Sequence, residues 1–405
     1  MTGTTGIGEH QFDGMWADLE PVGRAASGRG YRRFAWTAQD AELREWFTAE
    51  AGRRSLDVTT DRAGNLWAWW GDPDAAAAAG DPGIVTGSHL DSVAEGGAYD
   101  GPLGVISAFA ALDLLRAGGH RLARPLGVVC FGDEEGTRFG VACAGSRILT
   151  GQLDPDRARS LSDANGSSMA EAMSACGQAV ATLGPDQDAL RRIGAFVELH
   201  VEQGRGLVDL GRSVAVGTEI WPHGRWRLDL VGEANHAGTT RLGDRRDPML
   251  DLAAAVVAAR SAAERLGCVA TIGKVSVEPN AVNAIPSRVT AWLDARGPVQ
   301  SDVEAVVAAV GVAARTPAVS ESTTPPAVFD TALGDRLAAV LDDAPRLATG
   351  AGHDAGALAS AGIPAAMLFV RNPTGVSHSP DEYAERDDCI EGVHALARVL
   401  RELTR

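Results

Sequence analysis

The composition of this 405-residue chain describes an ordered globular protein that is too long for a single core. Hydrophobic residues make up 45% of the chain, and chains beyond roughly 250–300 residues usually divide into domains. The formal net charge of −16 disfavours nucleic acid and anionic membrane surfaces as partners, because both are negatively charged. The net charge does not exclude small-molecule substrates.

Cysteine usage and the N-terminal segment predict a cytoplasmic protein. The five cysteines are far apart and form no Cys-x-x-Cys pair, which is the spacing of thiolate zinc sites and redox motifs. Such usage favours a reducing compartment. The segment from Met1 to Asp18 carries no basic-then-apolar signal pattern, and no apolar stretch long enough to cross a membrane follows.

The first predicted elements alternate between helix and strand. Thr37 is the predicted N-cap of a helix that runs to about Ala51. Residues 65–70 predict a strand, and the alanine-rich tract 72–81 predicts a surface loop. Residues 104–115 are apolar on most faces, which predicts a buried helix.

Four apolar runs each lead into histidine, aspartate or glutamate. The residues concerned are His89, Asp91 and Asp100 after the first run, Glu134 and Glu135 after the second, His200 within the third, and His378 after the fourth. In an α/β sheet, ligands bind at the carboxyl ends of the strands. The pattern therefore predicts one polar site at one edge of a central sheet.

Imidazole and carboxylate groups suit a borderline divalent metal ion. An acid two residues after a histidine, as in His89 and Asp91, can hold the imidazole ring in place. Taken alone, such a short motif is more often a polar loop with a hydrogen-bonded histidine, because it recurs by chance. Four strand ends with the same chemistry favour the metal interpretation.

A second domain is predicted between residues 215 and 326, inserted into a domain formed by residues 1–214 and 327–405. Residues 225–231 alternate apolar and polar side chains, as a half-exposed antiparallel strand does. Asp247 and Pro248 then begin a helix that ends at Gly267. Two strands, a helix and a last strand complete a β-α-β-β-α-β order, which is typical of a ferredoxin-like α+β domain.

The motifs resemble those of the zinc-dependent hydantoinase/carbamoylase branch of the M20 dinuclear metallohydrolases. This branch includes allantoate amidohydrolase, N-carbamoyl-L-amino acid hydrolase and β-ureidopropionase. The matching stretches are residues 87–105, 133–139, 198–204, 232–247, 279–296, 350–355 and 375–380. The resemblance implies an aminopeptidase-like catalytic domain with a central mixed sheet and an inserted lid and dimerisation domain, and hence a homodimer.

The resemblance also implies two divalent ions per subunit, zinc or alternatively manganese or cobalt. His89, Asp100 and His200 would hold one ion, and Asp100, Glu135 and His378 would hold the other. Two ions that share a carboxylate acidify a water between them. Glu134 would be the general base, and Asp91 would orient His89, although Asp91 could instead cap the next turn.

The implied substrate contacts are Gln203, His236, Asn283, Arg296 and His353. His236 would hydrogen-bond the developing oxyanion, and Asn283 and Arg296 would hold the carboxylate of the substrate. Gln203 and His353 match pocket residues near the metals. Arg296 has a competing interpretation, a strand-end ion pair with Asp294.

The implied reaction is hydrolysis of the C–N bond of a linear ureido acid. Allantoate is the preferred substrate, with N-carbamoyl-L-amino acids and N-carbamoyl-β-alanine as alternatives. A true aminopeptidase is a weaker alternative, because His200 stands where many aminopeptidase relatives carry an acid. A catalytically inactive binding module would have lost a metal ligand or the base, and here all of them are present.

Overall fold

The computed structural model describes the backbone of residues 5–405 and the side chains from residue 9 onward. The chain forms two compact units. The larger unit contains the residues up to Glu219 together with Val328–Arg405, and the smaller unit is Ile220–Ala327. The sequence placed these borders near Ala215 and Pro326. The role of the smaller unit as a lid and dimerisation domain stays a prediction.

Helices and strands alternate through much of the described chain. The strands are β1 (Asp57–Thr60), β2 (Leu66–Trp70), β3 (Gly83–His89), β4 (Leu126–Phe131), β5 (Ile193–Val201), β6 (Val214–Ile220), β7 (His223–Val231), β8 (Asn235–His236), β9 (Val269–Glu278), β10 (Ala284–Ile285), β11 (Arg288–Arg296), β12 (Val319–Thr324), β13 (Ala327–Val328), β14 (Arg346–Thr349) and β15 (Ala365–Val370). The helices are α1 (Thr5–Leu19), α2 (Ala38–Arg53), α3 (Pro73–Ala78), α4 (Pro102–Ala117), α5 (Ala144–Leu149), α6 (Pro155–Ser160), α7 (Met169–Ala175), α8 (Gln187–Leu190), α9 (Gly206–Leu210), α10 (Pro248–Leu266), α11 (Gln300–Ala313), α12 (Thr331–Val340), α13 (Asp354–Ser360) and α14 (Arg386–Leu403).

The larger unit is built on a nine-stranded mixed sheet with the order β1-β2-β4-β3-β5-β15-β6-β13, in which β14 also pairs with β6. The four central strands β4, β3, β5 and β15 are parallel, whereas β2 and β6 flank them antiparallel. Parallel strands are covered on both faces, so their sequences read as continuous apolar runs. The prediction of an α/β fold with a central mixed sheet is confirmed.

Helix α4 forms the centre of the core of this unit. Most of its residues are buried, and it packs against β3 and β5 on the sheet and against α1 and α14. Gly101 and Pro102 begin the helix and Gly118 ends it, as Pro at the first position and Gly past the last position favour. This helix begins immediately after Asp100, so core packing determines where that carboxylate lies.

The smaller unit is a four-stranded antiparallel sheet with the order β12-β7-β11-β9, covered by α10 and α11. The four strands of this sheet and the two helices follow in the β-α-β-β-α-β order that the sequence predicts, and the short strands β8 and β10 form a separate pair. Asp247 caps α10 through the backbone N–H of Met249, and Gly267 ends the helix in a left-handed conformation. Alternate residues of β7 and β11, such as Leu228 and Leu293, form its separate core.

One predicted loop is wrong. Residues 73–78 form the short helix α3, because Asp72 accepts the backbone N–H groups of Asp74 and Ala75 and a proline occupies the first turn. Alanine has the highest helix propensity, so a capped run of alanines is helical even on the surface. Across residues 5–405, no helix is long and apolar enough to cross a membrane.

Candidate metal centre

The four parallel strands bring the predicted ligands to one edge of the central sheet. His89 is the last residue of β3, Glu135 follows β4, His200 lies near the end of β5, and His378 follows β15. Adjacent parallel strands end on the same side of a sheet. Residues that are up to 289 positions apart, such as His89 and His378, therefore become neighbours.

Asp100 lies at the centre of this cluster, and its two oxygens face different histidines. Oδ1 is 3.1 Å from Nε2 of His200 and 3.5 Å from Nε2 of His89. Oδ2 is 3.4 Å from Nε2 of His378, which is itself 3.6 Å from Oε2 of Glu135. The ligand atoms thus divide into two groups that share Asp100.

Several buried polar atoms of the cluster fit a metal ion better than they fit protein partners. Nε2 of His89, Nε2 of His200 and Oε1 of Glu135 have no hydrogen-bond partner among the described residues. Buried polar atoms are otherwise almost always satisfied. On the opposite ring edge, Nδ1 of His89 is 3.1 Å from the carbonyl oxygen of Asp91, and Nδ1 of His200 is 2.9 Å from that of Val201. Ligating histidines are held in this way, with one nitrogen on a carbonyl and the other turned to the metal.

The ring of His89 packs directly against Gly101, where there is no room for a side chain. A Cβ atom at this position would lie 2.4 Å from Cε1 of His89, and the backbone has a φ of 87°. Only glycine adopts such a φ without strain. The glycine after Asp100 therefore lets the carboxylate and the first histidine approach each other.

Asp91 binds the loop that carries the two glutamates. Its Oδ1 accepts the backbone N–H of Glu134 at 3.2 Å, and its Oδ2 accepts that of Glu135 at 3.0 Å. Oδ1 is also 3.5 Å from Nδ1 of His89. The side chain of Asp91 therefore positions the loop after β4 as well as approaching the histidine to which the sequence assigned it.

The two glutamates lie in different surroundings although they are consecutive. Oε2 of Glu134 is 3.7 Å from Nε2 of His89, whereas Glu135 faces His378. Burial raises the pKa of Glu134 well above its ordinary value, and burial with the neighbouring Asp100 raises the pKa of Glu135 to about 7. Burial alone would also raise the pKa of Asp100, but the histidines, with His200 foremost, hold it well below its ordinary value.

A third group of side chains lies beside His200. The ring of His353 is 4.4 Å from that of His200, and its Nε2 has no hydrogen-bond partner in the described part of the chain. Burial lowers the pKa of His353 well below its ordinary value, which favours the neutral imidazole. Glu198 accepts the hydroxyl of Ser88 at 2.8 Å and the backbone N–H of Ala355 at 3.0 Å. Glu198 therefore fixes β5 against the start of α13.

Comparison with known proteins identifies the family of the chain. Residues 85–402 match peptidase family M20/M25/M40. The chain belongs to this family. It is 36% identical to the N-carbamoyl-L-amino acid amidohydrolase of Geobacillus stearothermophilus, over 98% of this chain and 99% of that protein. It is 32% identical to the allantoate amidohydrolase of Escherichia coli K12, over 92% of this chain and 93% of that protein.

A solved structure extends the likeness to the whole fold. The crystal structure of an amidase of the hydantoinase/carbamoylase family from Burkholderia vietnamiensis aligns with a TM-score of 0.85 and 28% identity, covering 98% of this chain and 97% of that one. The resemblance to the hydantoinase/carbamoylase branch of the M20 family is thereby confirmed. The chain is an M20-family hydrolase of the amidohydrolase type, which acts on C–N bonds other than peptide bonds.

Glu382 borders the candidate site and was not predicted from the sequence. Its Oε1 accepts the backbone N–H groups of Tyr99 and Asp100 at 2.9 and 3.0 Å, and Oε2 lies 3.4 Å from the hydroxyl of Ser377. The amide nitrogen of Gln203 donates to Oδ2 of Asp100 at 2.8 Å. The one available signal was the acid four residues after His378, which nothing in the local pattern connects to Asp100.

The predicted substrate residues of the smaller unit fall into two groups. His236 pairs with Ala284 in the short β8–β10 ladder, and the carbonyl of Asn283 accepts the N–H of Ala237 at 3.0 Å. Both residues are exposed and adjoin the end of the sheet at which Val231 pairs with Arg288.

Arg296 lies at the other end of the same sheet. It pairs with His223, eight residues along β11 from Arg288, a separation of about 27 Å at the usual rise per strand residue. Its Nε and Nη2 contact the two carboxylate oxygens of Asp294 at 2.7 and 3.1 Å. The structure thus contains the ion pair with Asp294 that is the competing interpretation of Arg296. Within a single copy of this unit, Arg296 therefore lies far from His236 and Asn283.

Proposed function

We propose that this M20-family chain hydrolyses the C–N bond of a linear ureido acid with two divalent metal ions. The observation that carries the proposal is Asp100, whose two oxygens face two separate sets of ligand atoms. His89 and His200 complete one set, and Glu135 and His378 complete the other. A carboxylate placed in this way suits a pair of ions that share it.

Bound divalent ions would stabilise negative charge on the substrate and lower the pKa of a water molecule. Glu134 is the acid left over, because Glu135 faces His378 whereas Glu134 borders the cluster at His89. A buried carboxylate at this position can accept a proton from water and deliver it to the leaving nitrogen. We assign that proton transfer to Glu134.

Substrate contacts come from both units in this proposal. In the larger unit, Gln203 and the imidazole of His353 offer hydrogen bonds beside the ligand cluster. In the smaller unit, His236 would stabilise the oxyanion and Asn283 and Arg296 would bind the carboxylate. A planar guanidinium suits a carboxylate through two parallel hydrogen bonds.

We propose a homodimer through the smaller unit. Strand β9 lies at the edge of the four-stranded sheet, so one of its two sides has no partner strand in the described chain. Apolar side chains are exposed on β9 and α10, including Val269, Val275, Leu250 and Val257. Exposed edges and apolar patches favour association. The separation of Arg296 from His236 supports the same conclusion, because a small ureido acid cannot reach both ends of one sheet. A second copy would supply one of the two.

Within the ureido acids, allantoate stays our first candidate and N-carbamoyl-L-amino acids the second. Both are carboxylates, so Arg296 suits either. The relatives named above include an enzyme for each, and the five free cysteines favour a cytoplasmic location for either reaction.

The test is ammonia release by purified protein loaded with zinc, manganese or cobalt. The panel contains allantoate, N-carbamoyl-L-amino acids, N-carbamoyl-β-alanine and a dipeptide. We expect turnover of a ureido acid, loss of turnover with a chelator, recovery on adding metal, and two ions per chain by elemental analysis. One ion per chain in fully active protein would contradict the dinuclear assignment. Turnover of the dipeptide alone would favour the aminopeptidase alternative.

A further inference from the structure

The thiol of Cys143 contacts the carboxylate of Glu134. Its Sγ lies 3.2 Å from Oε1 of Glu134. Within the described part of the chain, this thiol is the one hydrogen-bond donor to that carboxylate. The other oxygen, Oε2, faces Nε2 of His89 at 3.7 Å. The two oxygens of Glu134 therefore have different tasks, because one is held by sulfur and the other borders the ligand cluster.

The backbone fixes this contact. The N–H of Cys143 donates to the carbonyl of Glu134 at 2.5 Å, and the next two bonds join Ala144 to Asp133 and Gly145 to Gly132, each at 2.9 Å. This short ladder places Cys143 directly opposite Glu134. Cys143 itself adopts a left-handed conformation with a φ of 52°, which is uncommon for a residue other than glycine. The chain thus tolerates backbone strain at the residue that carries the thiol.

Burial favours the neutral thiol over the thiolate at this position. The residue is buried, and burial together with the neighbouring Glu134 raises the pKa of Cys143 well above its ordinary value. A protonated thiol is a weak donor, and a carboxylate is an acceptor. The arrangement therefore favours an S–H···O contact and disfavours a reactive thiolate.

We propose that Cys143 is a positioning residue that holds Oε1 of Glu134, so that Oε2 is turned towards the ligand cluster. The inference rests on the proposed function, in which Glu134 transfers the proton. Cys143 does not touch substrate or metal in this scheme. Its effect is on the orientation of the base, so kcat should change while KM and metal content do not.

The experiment compares Cys143→Ser, which keeps a donor, with Cys143→Ala, which removes it. Cys143→Gly also removes the donor and adopts the left-handed backbone without strain, so it covers the case in which the alanine variant fails to fold. Cys389→Ala is the matched control, because Cys389 is also a buried cysteine and lies on α14. All variants are compared for metal content, kcat and KM.

We expect kcat to fall about three- to tenfold in the alanine and glycine variants, the effect of losing one hydrogen bond of ordinary strength, because a thiol is a weak donor. The serine variant and the control should stay within about twofold of wild type. An unchanged kcat in both deletion variants would overturn the proposal. An equal loss in the serine variant would overturn it as well, and so would a loss that follows metal content.

A second readout needs no turnover. In the Raman difference spectrum between metal-free wild type and Cys143→Ala, the S–H stretching band of Cys143 should lie at lower frequency than that of a thiol without an acceptor. The band should move to higher frequency in Glu134→Ala, which removes the acceptor. An unchanged band frequency in this variant would contradict the proposed contact between Cys143 and Glu134. Absence of ammonia release by wild type, with the band behaving as expected, would instead overturn the proposed function.

Discussion

The side chain of Asp91 is hydrogen-bonded to the backbone of Glu134, although 43 residues separate them. The same carboxylate also accepts the N–H of Glu135. The acid next to the first histidine therefore determines where the second strand end presents its glutamates. Coupling of this kind makes the two halves of the ligand cluster depend on one residue.

Replacing Asp91 with Asn should weaken the binding of the ion that Glu135 and His378 are proposed to hold. The amide nitrogen of Asn would face one of the two backbone N–H donors, so one of the hydrogen bonds would be lost. The carbonyl of Asp91, which is 3.1 Å from Nδ1 of His89, would remain. We expect metal affinity and activity to fall about 10- to 100-fold, measured by metal titration and ammonia release, with the exposed Asp343→Asn as control. Loss of the ion at His89 and His200 instead would show that Asp91 acts mainly through His89.

Glu134 and Glu135 should respond differently to the same change. Glu134→Gln removes the proton acceptor but no proposed ligand, so both ions should stay bound while kcat falls about 10²- to 10⁴-fold. Glu135→Gln should weaken the binding of one ion, because the amide is a poorer ligand than the carboxylate. Elemental analysis beside steady-state kinetics checks both expectations. Equal metal loss in the two variants would contradict the assigned roles.

The sequence predicted the parts of the site that lie at strand ends. His89 and His200 lie at the ends of strongly apolar strands, and the ends of adjacent parallel strands meet at one edge of a sheet. The two ends of helix α10 were equally predictable, because Asp247, Pro248 and Gly267 are local signals for the start and end of a helix. Long apolar runs and helix caps are determined within a few residues of the chain.

The remaining features depend on contacts that no local pattern encodes. Glu382 bonds the backbone of Asp100 across 282 residues, and Cys143 reaches Glu134 only because a short ladder folds the intervening loop back. The position of Arg296 relative to His236 follows from the register of β11, which is set by strand pairing and not by composition. These relationships are determined by tertiary contacts, so the sequence alone could not predict them.

Glu382 gives a prediction about Asp100. Its Oε1 accepts two backbone N–H groups, at Tyr99 and Asp100, and these would be left unsatisfied in Glu382→Ala. We expect that variant to bind metal at least about tenfold more weakly, whereas Glu382→Gln keeps an acceptor oxygen and should stay close to wild type. Metal titration of both variants is the measurement. Equal losses in the two variants would mean that the negative charge of Glu382, and not its hydrogen bonds, is what matters.

Arg296 can be tested against its ion pair. If it binds the substrate carboxylate, Arg296→Lys should raise KM for ureido acids, since lysine lacks the planar fork. Neutral amides should be turned over poorly by wild type and little affected by the change. Asp294→Asn is the control, because it removes the 2.7 Å contact to Arg296 but not the arginine. If Arg296→Lys leaves KM unchanged and both variants lower Tm alike, Arg296 is a structural residue.

Asp40 provides a pH test of the fold that is separate from the metal ligands. It is buried at the start of α2, where its Oδ2 accepts the N–H of Trp36 at 3.0 Å. Burial raises the pKa of Asp40 to about 6, although the nearby Arg44 lowers it and Asp91 and Arg138 lie within electrostatic range. In the unfolded chain an aspartate titrates near 3.9.

The folded state therefore holds the proton of Asp40 more tightly than the unfolded state does. Its contribution to stability is fully present below about pH 4 and is lost as the pH rises through about 6. Asp40→Asn keeps an oxygen acceptor for Trp36 and has no such titration. The free energy of unfolding of wild type, relative to the variant, should fall by about 2–3 kcal/mol between pH 4 and pH 7. Denaturant unfolding of both metal-free proteins across this range is the measurement, with Asp343→Asn again as the exposed control. A difference between wild type and Asp40→Asn that does not change with pH would mean that Asp40 stays ionised when buried, held by Arg44 and its helix N-terminus.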